Sequence, residues 1–194
     1  MPFVVKARHG CNQIAIVRDP DVANWDAIRA SADGWVKRRY GFWLDEWLYS
    51  RVERGIIVEP YVGVGDVLPI DYKFYVFGGR VEFIQVHLDR ATRHHWMLLD
   101  LDWNRMPGCL HSGTPVAPSR IAELIAAAEA LGADFDFVRV DLYQPGDHLL
   151  FGEMTFYPSS GLDPFDPPEL DAMIGERWRG QGRLAFAKSA QTSS

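Results

Sequence analysis

The sequence predicts an α+β fold with largely antiparallel sheets. Three observations lead there. Short β-branched runs come in neighbouring pairs around turns that contain Gly or Pro. Few segments repeat apolar residues at helical spacing. The segments run strand, strand, helix, strand, then hairpin, strand, helix, hairpin, helix.

The elements follow in order. "PFVVKA" and "IAIVRD" read as two strands around the Gly-containing loop "RHGCNQ". From Asp21 to about Tyr40, the residues Trp25, Ile28, Ala32, Trp35 and Val36 recur at helical spacing, and Asp33-Gly34 weakens the middle. "FWLDEWLYSRVERG" reads as a second helical piece that ends at Gly55. "IIVEPY" is expected to be a short buried strand. "VGVGDVLP", rich in Gly and closed by Pro, is expected to separate a first lobe, 1–62, from a second, 63–180, with a polar tail over 181–194. "DYKFYVFGGRVEFIQVHLD" is a hairpin turning at Gly78-Gly79, and "HHWMLLDLDW" holds another strand. Residues 119–131 are the clearest helix: Ser119 can cap it, Ile121, Leu124, Ile125, Ala128 and Leu131 form its apolar face, and Gly132 ends it. The hairpin "FVRVDLYQPGDHLLFGEMTFYPSSG" follows, then a last helix in "DPPELDAMIGERW".

Composition narrows the function. The chain has 194 residues and a formal net charge of −6 with no basic stripe, which argues against nucleic acid or an anionic membrane surface as partner. No apolar run is long enough to span a bilayer, and the start lacks the apolar core of a secretory signal. Cys11 and Cys109 lie far apart without metal-type spacing, and are expected as free thiols in a reducing cytoplasm. A domain that opens inside a strand is expected to lack an upstream part.

The last hairpin carries the most chemistry. Side chains alternate along a strand, so Arg139 and Asp141 share one face, as do Glu153 and Thr155. A connection of three or five residues around Pro145-Gly146-Asp147 would put both polar sets on one side of the sheet. Two carboxylates that close need a cation between them or a shared proton. Mg²⁺, which takes one or two carboxylates plus phosphate oxygens, satisfies this, and Arg139 suits a phosphate or carboxylate. A wet sheet face with an ordinary Arg–Glu cross-strand pair explains the spacing equally well. Lys6, at a strand end before a small-residue loop, can hold phosphate, although spacing alone favours a surface Lys beside a hairpin turn. Glu59 and Pro60 end a strand and leave neighbouring backbone groups for the edge of a planar ligand. Asp71 and Lys73 share a strand face and also make an ordinary salt-bridge pair. G-x-S-x-G, H-E-x-x-H and C-x-x-C are absent, and His94-His95 reads as a polar turn. "DLD", Asp100 to Asp102, matches the short D-x-D pattern of nucleotide-sugar glycosyltransferases.

Taken in order, "VVKARHG", "IIVEPYV", "IDYKFYVFGGRVEFIQVHLDR", "LLDLDW", "FVRVDLY" and "FGEMTFYPSSG" resemble the TupA-like ATP-grasp family, the ATP-grasp fold amidoligases of teichuronopeptide type, from about Phe3 to Gly175. The resemblance implies two α+β lobes with a nucleotide cleft between them, the small lobe being 1–62. Lys6 resembles the lysine that contacts ATP phosphates, and His9, Gly10, Cys11 and Asn12 match the loop that covers them. Glu59, Pro60, Tyr61 and Val62 resemble the adenine-reading hinge. Asp71, with Asp66 as rival, resembles the acidic residue near the ribose. Lys73 and Arg139 match the cations near the transferred phosphate. Asp141 and Glu153 match the Mg²⁺ ligands, and Thr155 stands where many relatives carry a ligating Asn. The loop departs from the family's H-G-S-G at Cys11 and Asn12, where Asn tolerates a left-handed backbone. The family's segment upstream of the lysine strand is expected to be missing here. The function implied is an ATP-dependent ligase that joins a carboxylate, on a small molecule or glycan, to an amine through an acyl-phosphate. Its setting would be bacterial cell-surface polysaccharide or teichuronopeptide-like biosynthesis in the cytoplasm, with a second copy or a partner supplying the missing wall. The alternatives are a non-catalytic remnant of that fold, and a glycosyltransferase using Asp100 and Asp102.

Overall fold

A computed structural model describes residues 1–41, 46–65, 67–89, 94–107, 113–162, 164–165 and 167–178. Asp66, Cys109 and the tail from 181 lie outside the described residues. The chain divides into two compact units, Met1–Val62 and a second beginning at Gly63.

The first unit holds an antiparallel sheet of three strands, β1 (Phe3–Ala7), β2 (Ile14–Val17) and β3 (Ile56–Pro60), in the order β2-β1-β3. Helix α1 spans Trp25–Lys37. It starts where Asn24 Oδ1 accepts the Ala27 amide at 3.0 Å, and Asp26 in its first turn and Lys37 in its last both suit the helix dipole. Trp25 stacks on Phe3 of β1 with ring centroids 6.0 Å apart. Asn24→Ala is expected to destabilise this unit by about 1 kcal/mol, read as a lower urea midpoint.

Two expectations change here. The run "IIVEPY" is a strand, but not a buried one: among the described residues β3 pairs only with β1, and Val58 is 62% exposed. The second helical piece reduces, among the described residues, to a 3-10 turn at Trp47–Ser50, with 42–45 undescribed. Gly55 ends no helix. Its carbonyl takes the Arg8 amide at 2.9 Å, because the β1–β3 pairing runs back into the segment and claims its backbone.

The second unit holds a five-stranded antiparallel sheet in the order β6-β5-β4-β7-β8. Its strands are β4 (Asp71–Phe77), β5 (Arg80–Leu88), β6 (His95–Leu99), β7 (Phe137–Tyr143) and β8 (Leu150–Thr155). The β4–β5 turn falls on Gly78 and Gly79, with φ of 54° and 79°, as a two-residue hairpin loop requires. One sheet face is apolar: Phe74, Val76, Ile84, Val138 and Val140 pack under Leu124 and Ala128 of α2 (Ile121–Gly132). A Cβ on Gly132 would lie 2.6 Å from Val76 Cγ1, so only glycine lets the last turn of α2 settle on β4. On the opposite face Tyr75, Phe77, Phe83 and Phe137 pack against Leu170 and Ile174 of α3, residues 168–178. That face also carries the polar Asp71, Lys73, Gln85, Arg139 and Asp141.

Ser119 does not cap α2. Gln144, in the β7–β8 connection, donates to Ser119 Oγ at 2.7 Å and accepts the Arg120 amide at 3.0 Å, so a residue distant in sequence satisfies the helix start. Leu131 is 40% exposed and leaves the predicted apolar stripe. No helix among the described residues is long and apolar enough to cross a membrane.

Candidate functional site

The polar part of the second unit's sheet depends on one residue. The connection from Tyr143 to Leu150 has six residues, not three or five. Beside it the ladder pairs Tyr143 with Leu150 and Leu142 with Phe151. Continued unbroken, that register would set Asp141 opposite Gly152 and turn Glu153 to the α2 face. A β-bulge at Gly152 takes up one residue, and the ladder resumes as Asp141 with Glu153 and Arg139 with Thr155. A Cβ on Gly152 would lie 2.9 Å from the Asp141 carbonyl oxygen and 2.8 Å from Tyr143 Cε2, so the bulge suits glycine. The two carboxylates share a face because of it.

A chain of ion pairs crosses the three strands. Lys73 on β4, the cross-strand partner of Asp141, lies 2.8 Å from Asp71 Oδ2 and also bonds Asp141 Oδ2. Arg139 grips Asp141 with two donors: Nε reaches Oδ1 at 2.7 Å and Nη2 reaches Oδ2 at 2.8 Å. The same Nη2 lies 2.9 Å from Glu153 Oε1 and 3.0 Å from Thr155 Oγ1. Thr155 Oγ1 donates to Glu153 Oε1 at 2.9 Å. Burial works against the charge on Arg139, but the charge and hydrogen bonds of Asp141, helped by Tyr75 and Glu153, overcome it and hold its proton more tightly than usual. Asp71, Lys73 and Asp141 are buried, whereas the Glu153 side chain is 58% exposed. Three carboxylates against two cations leave one negative charge in excess, beside the open Glu153 end.

Asp141 and Glu153 are hard oxygen donors facing each other. Among the described residues no group of three or more His, Cys, Asp or Glu side chains could hold a metal alone. Two carboxylate donors are what a Mg²⁺ site requires when water and phosphate oxygens complete the shell. Sequence reasoning passed over two neighbours. Gln85 faces Lys73 across β4–β5 and accepts from Tyr75 Oη at 3.3 Å. The alternation of Phe83, Gln85 and His87 against Ile84 and Val86 carried that signal.

In the first unit, Lys6 Nζ lies 2.7 Å from Glu59 Oε1, with both side chains partly exposed. In the following loop Asn12 takes φ 57°, the left-handed backbone expected of it, and the Ala7 amide closes the loop on the Gln13 carbonyl at 2.9 Å. Gly10 lies between them, and Cys11 is exposed. The His9 side chain turns inward. It is 1% exposed, and Nε2 reaches the Trp35 carbonyl of α1 at 3.0 Å. At the end of β3, the backbone beyond Pro60 is not left wholly for a ligand: the Tyr61 amide donates to the Pro2 carbonyl at 3.2 Å, extending the ladder with the strand start. The Tyr61 ring takes Arg18 at 4.8 Å, and Val62 is 37% exposed.

The structure thus brings Asp71, Lys73, Arg139, Asp141, Glu153 and Thr155 into one network and Lys6 and Glu59 into another, each inside its own unit. It gives the first carboxylate of the D-x-D to a turn. Asp100 Oδ1 accepts the amides of Asp102 and Asn104 at 3.0 and 2.7 Å, and Oδ2 accepts Asn104 Nδ2 at 3.1 Å. His94 is more than a polar turn residue, since its Nε2 lies 2.9 Å from His87 Nδ1.

The Arg–Asp–Lys network and the facing carboxylates thus share one face of the second unit's sheet. The chain belongs to the TupA-like ATP-grasp family, whose model matches residues 1–179. No curated protein matches the chain. Distant likenesses exist among solved structures. A D-alanine–D-alanine ligase from Bacillus anthracis is 14% identical, with a TM-score of 0.49 over 99% of this chain and 55% of that one. The same ligase complexed with ATP gives 14% identity and a TM-score of 0.46 over 95% of this chain and 55% of that one. The ATP-grasp ligase PsnB, complexed with a phosphomimetic variant of its minimal precursor, Mg and ADP, gives 10% identity and a TM-score of 0.43 over 91% and 47%. The chain spans about half the length of these structures.

Proposed function

We propose that this chain is the ATP-binding part of a ligase that joins a carboxylate to an amine, and that the polar face of its second unit receives the phosphates of Mg·ATP. The observation that carries this is the Asp141–Glu153 pair held between Arg139 and Lys73 on a buried sheet face. Family membership supports it.

In this reading a substrate carboxylate oxygen attacks the γ-phosphorus of ATP, the bond to the β–γ bridging oxygen breaks, and ADP leaves. The acyl-phosphate formed is attacked at its carbonyl carbon by the amine. Phosphate leaves with the electrons of the C–O bond, and the amine proton passes to solvent. Arg139 has donors to spare beyond the fork on Asp141, and these suit the equatorial oxygens of the moving phosphoryl group. Lys73 adds a point charge, and Asp71 holds it in place. Asp141 and Glu153, with Thr155 beside them, would hold Mg²⁺, which neutralises phosphate charge when bound. In the first unit, Lys6, the loop of His9 to Asn12 and the stretch from Glu59 to Val62 are proposed nucleotide contacts, with His9 anchoring the loop to α1. The family suggests a place in bacterial cell-surface polysaccharide or teichuronopeptide-like biosynthesis in the cytoplasm, with a glycan or small-molecule carboxylate and an amine as substrates. The D-x-D reading is less favoured, because Asp100 already serves its turn.

A thermal-shift titration tests the proposal. Mg·ATP at a hundred times its Kd stabilises the protein by about 2.7 kcal/mol. Glu153→Gln, at an exposed ion pair, should keep the fold within about 1 kcal/mol and lose that shift. A shift that survives in Glu153→Gln, or a response to Mn²⁺ with a UDP-sugar and none to Mg·ATP, overturns it.

A further inference from the structure

On the reading of the loop from His9 to Asn12 as a nucleotide contact, we propose that Tyr40 clasps this loop in a seat it must leave to take phosphate. The Tyr40 hydroxyl accepts the Cys11 amide and donates to the Cys11 thiol sulfur. Its ring packs against the neighbouring glycine: a Cβ on Gly10 would come within 3.2 Å of Tyr40 Cδ2. His9 ties the same loop a second time, through Nε2 and the Trp35 carbonyl at 3.0 Å. Trp35 lies in the last turn of α1 and Tyr40 shortly after its end, so both ties run to one stretch of the first unit.

Tyr40 is itself fixed. The chain turns directly after it at Gly41, with φ 72°, where a Cβ would lie 2.9 Å from Glu46 Cβ. The Glu46 amide closes this turn on the Gly41 carbonyl at 3.2 Å. Tyr49 then stands edge-on to the Tyr40 ring, with centroids 4.9 Å apart. Burial, then Cys11 and Glu46, push the Tyr40 hydroxyl up to about 12, so it keeps its hydrogen across the neutral range.

A backbone loop holds phosphate through converging amides. An amide has one hydrogen, and that of Cys11 cannot serve Tyr40 and a phosphate oxygen together. Asn12, with φ 57°, already gives the backbone the left-handed step that such loops use. The hydroxyl of Tyr40 thus competes with the anion for the loop. The loop divides between a seated and a released form, and the apparent affinity for nucleotide scales with the released fraction.

Tyr40→Phe removes the hydroxyl and keeps the ring against Gly10 and Tyr49. Two measurements on the full chain compare it with the wild type: amide hydrogen exchange at Cys11 by NMR, and calorimetric titration with Mg·ATP. Loss of one neutral hydrogen bond should speed exchange at Cys11 by about fivefold and tighten Mg·ATP by about fivefold. Exchange at Val5, inside β1, should stay as it is, which separates release of the loop from loosening of the sheet. Unchanged exchange at Cys11 overturns the proposal. Faster exchange with equal or weaker binding of Mg·ATP also overturns it, since Tyr40 would then support the bound loop, and leaves the nucleotide reading standing. Failure of both proteins to bind Mg·ATP overturns that reading and the clasp with it.

Discussion

Asp141→Asn is expected to destabilise the protein by about 3 kcal/mol, far more than the loss of Glu153, which stands directly opposite. The carboxylate of Asp141 is the shared partner of two buried cations; without it Lys73 keeps only Asp71, and Arg139 keeps only the exposed Glu153. An amide can still accept from one of them, but cannot neutralise either. Taking a buried ion apart from one side leaves the full desolvation penalty of the other. Glu153 differs because its side chain is more than half exposed and Arg139 keeps Asp141 when it goes. The measurement is urea denaturation followed by circular dichroism. If Asp141→Asn unfolds at the wild-type midpoint, the network is solvated, and Lys73 and Arg139 are not fixed for phosphate.

The face that carries this network could be read from alternation alone. Arg139, Asp141, Glu153 and Thr155 fall on one side in the sequence and do so in the fold, and Val138, Val140 and Met154 go to α2. What alternation cannot supply is parity across a turn. The six-residue connection would have set Glu153 on the α2 face, and only the bulge at Gly152 corrects it. A glycine between Phe151 and Glu153 was the visible trace, but a bulge is one of several uses for a strand glycine. Contacts that close through space were out of reach for the same reason. Gln144 takes over the start of α2 from Ser119, and His87 meets His94 across a hairpin. The β3 run read as buried because Ile56, Ile57 and Val58 are apolar, yet among the described residues it pairs on one side only, and all three are exposed. His9 read as a loop residue from its Gly neighbour, while its partner, the Trp35 carbonyl, belongs to a helix whose side-chain pattern says nothing of its backbone.

Gly152→Val is expected to cost at least about 2 kcal/mol and to abolish the response to Mg·ATP, and deleting Gly152 outright is expected to do less harm. The added Cβ meets the Asp141 carbonyl oxygen at 2.9 Å and the Tyr143 ring at 2.8 Å; the first is backbone and cannot give without moving Asp141 itself. The strand can escape by losing the bulge, so that the substituted position pairs with Asp141. Every later side chain then changes face, and Glu153 is driven toward the apolar layer under Leu124 and Ala128. Both routes dismantle the carboxylate pair. Deletion removes the extra residue that makes the bulge. The register of Leu142 with Phe151 then continues directly into Asp141 with Glu153, and the two carboxylates stay opposed. Thermal shifts of the two variants with Mg·ATP make the comparison. A retained shift after deletion with none in Gly152→Val ties nucleotide binding to the register of these two side chains. The reverse order would mean that the bulge itself, and not the pairing it restores, shapes the site.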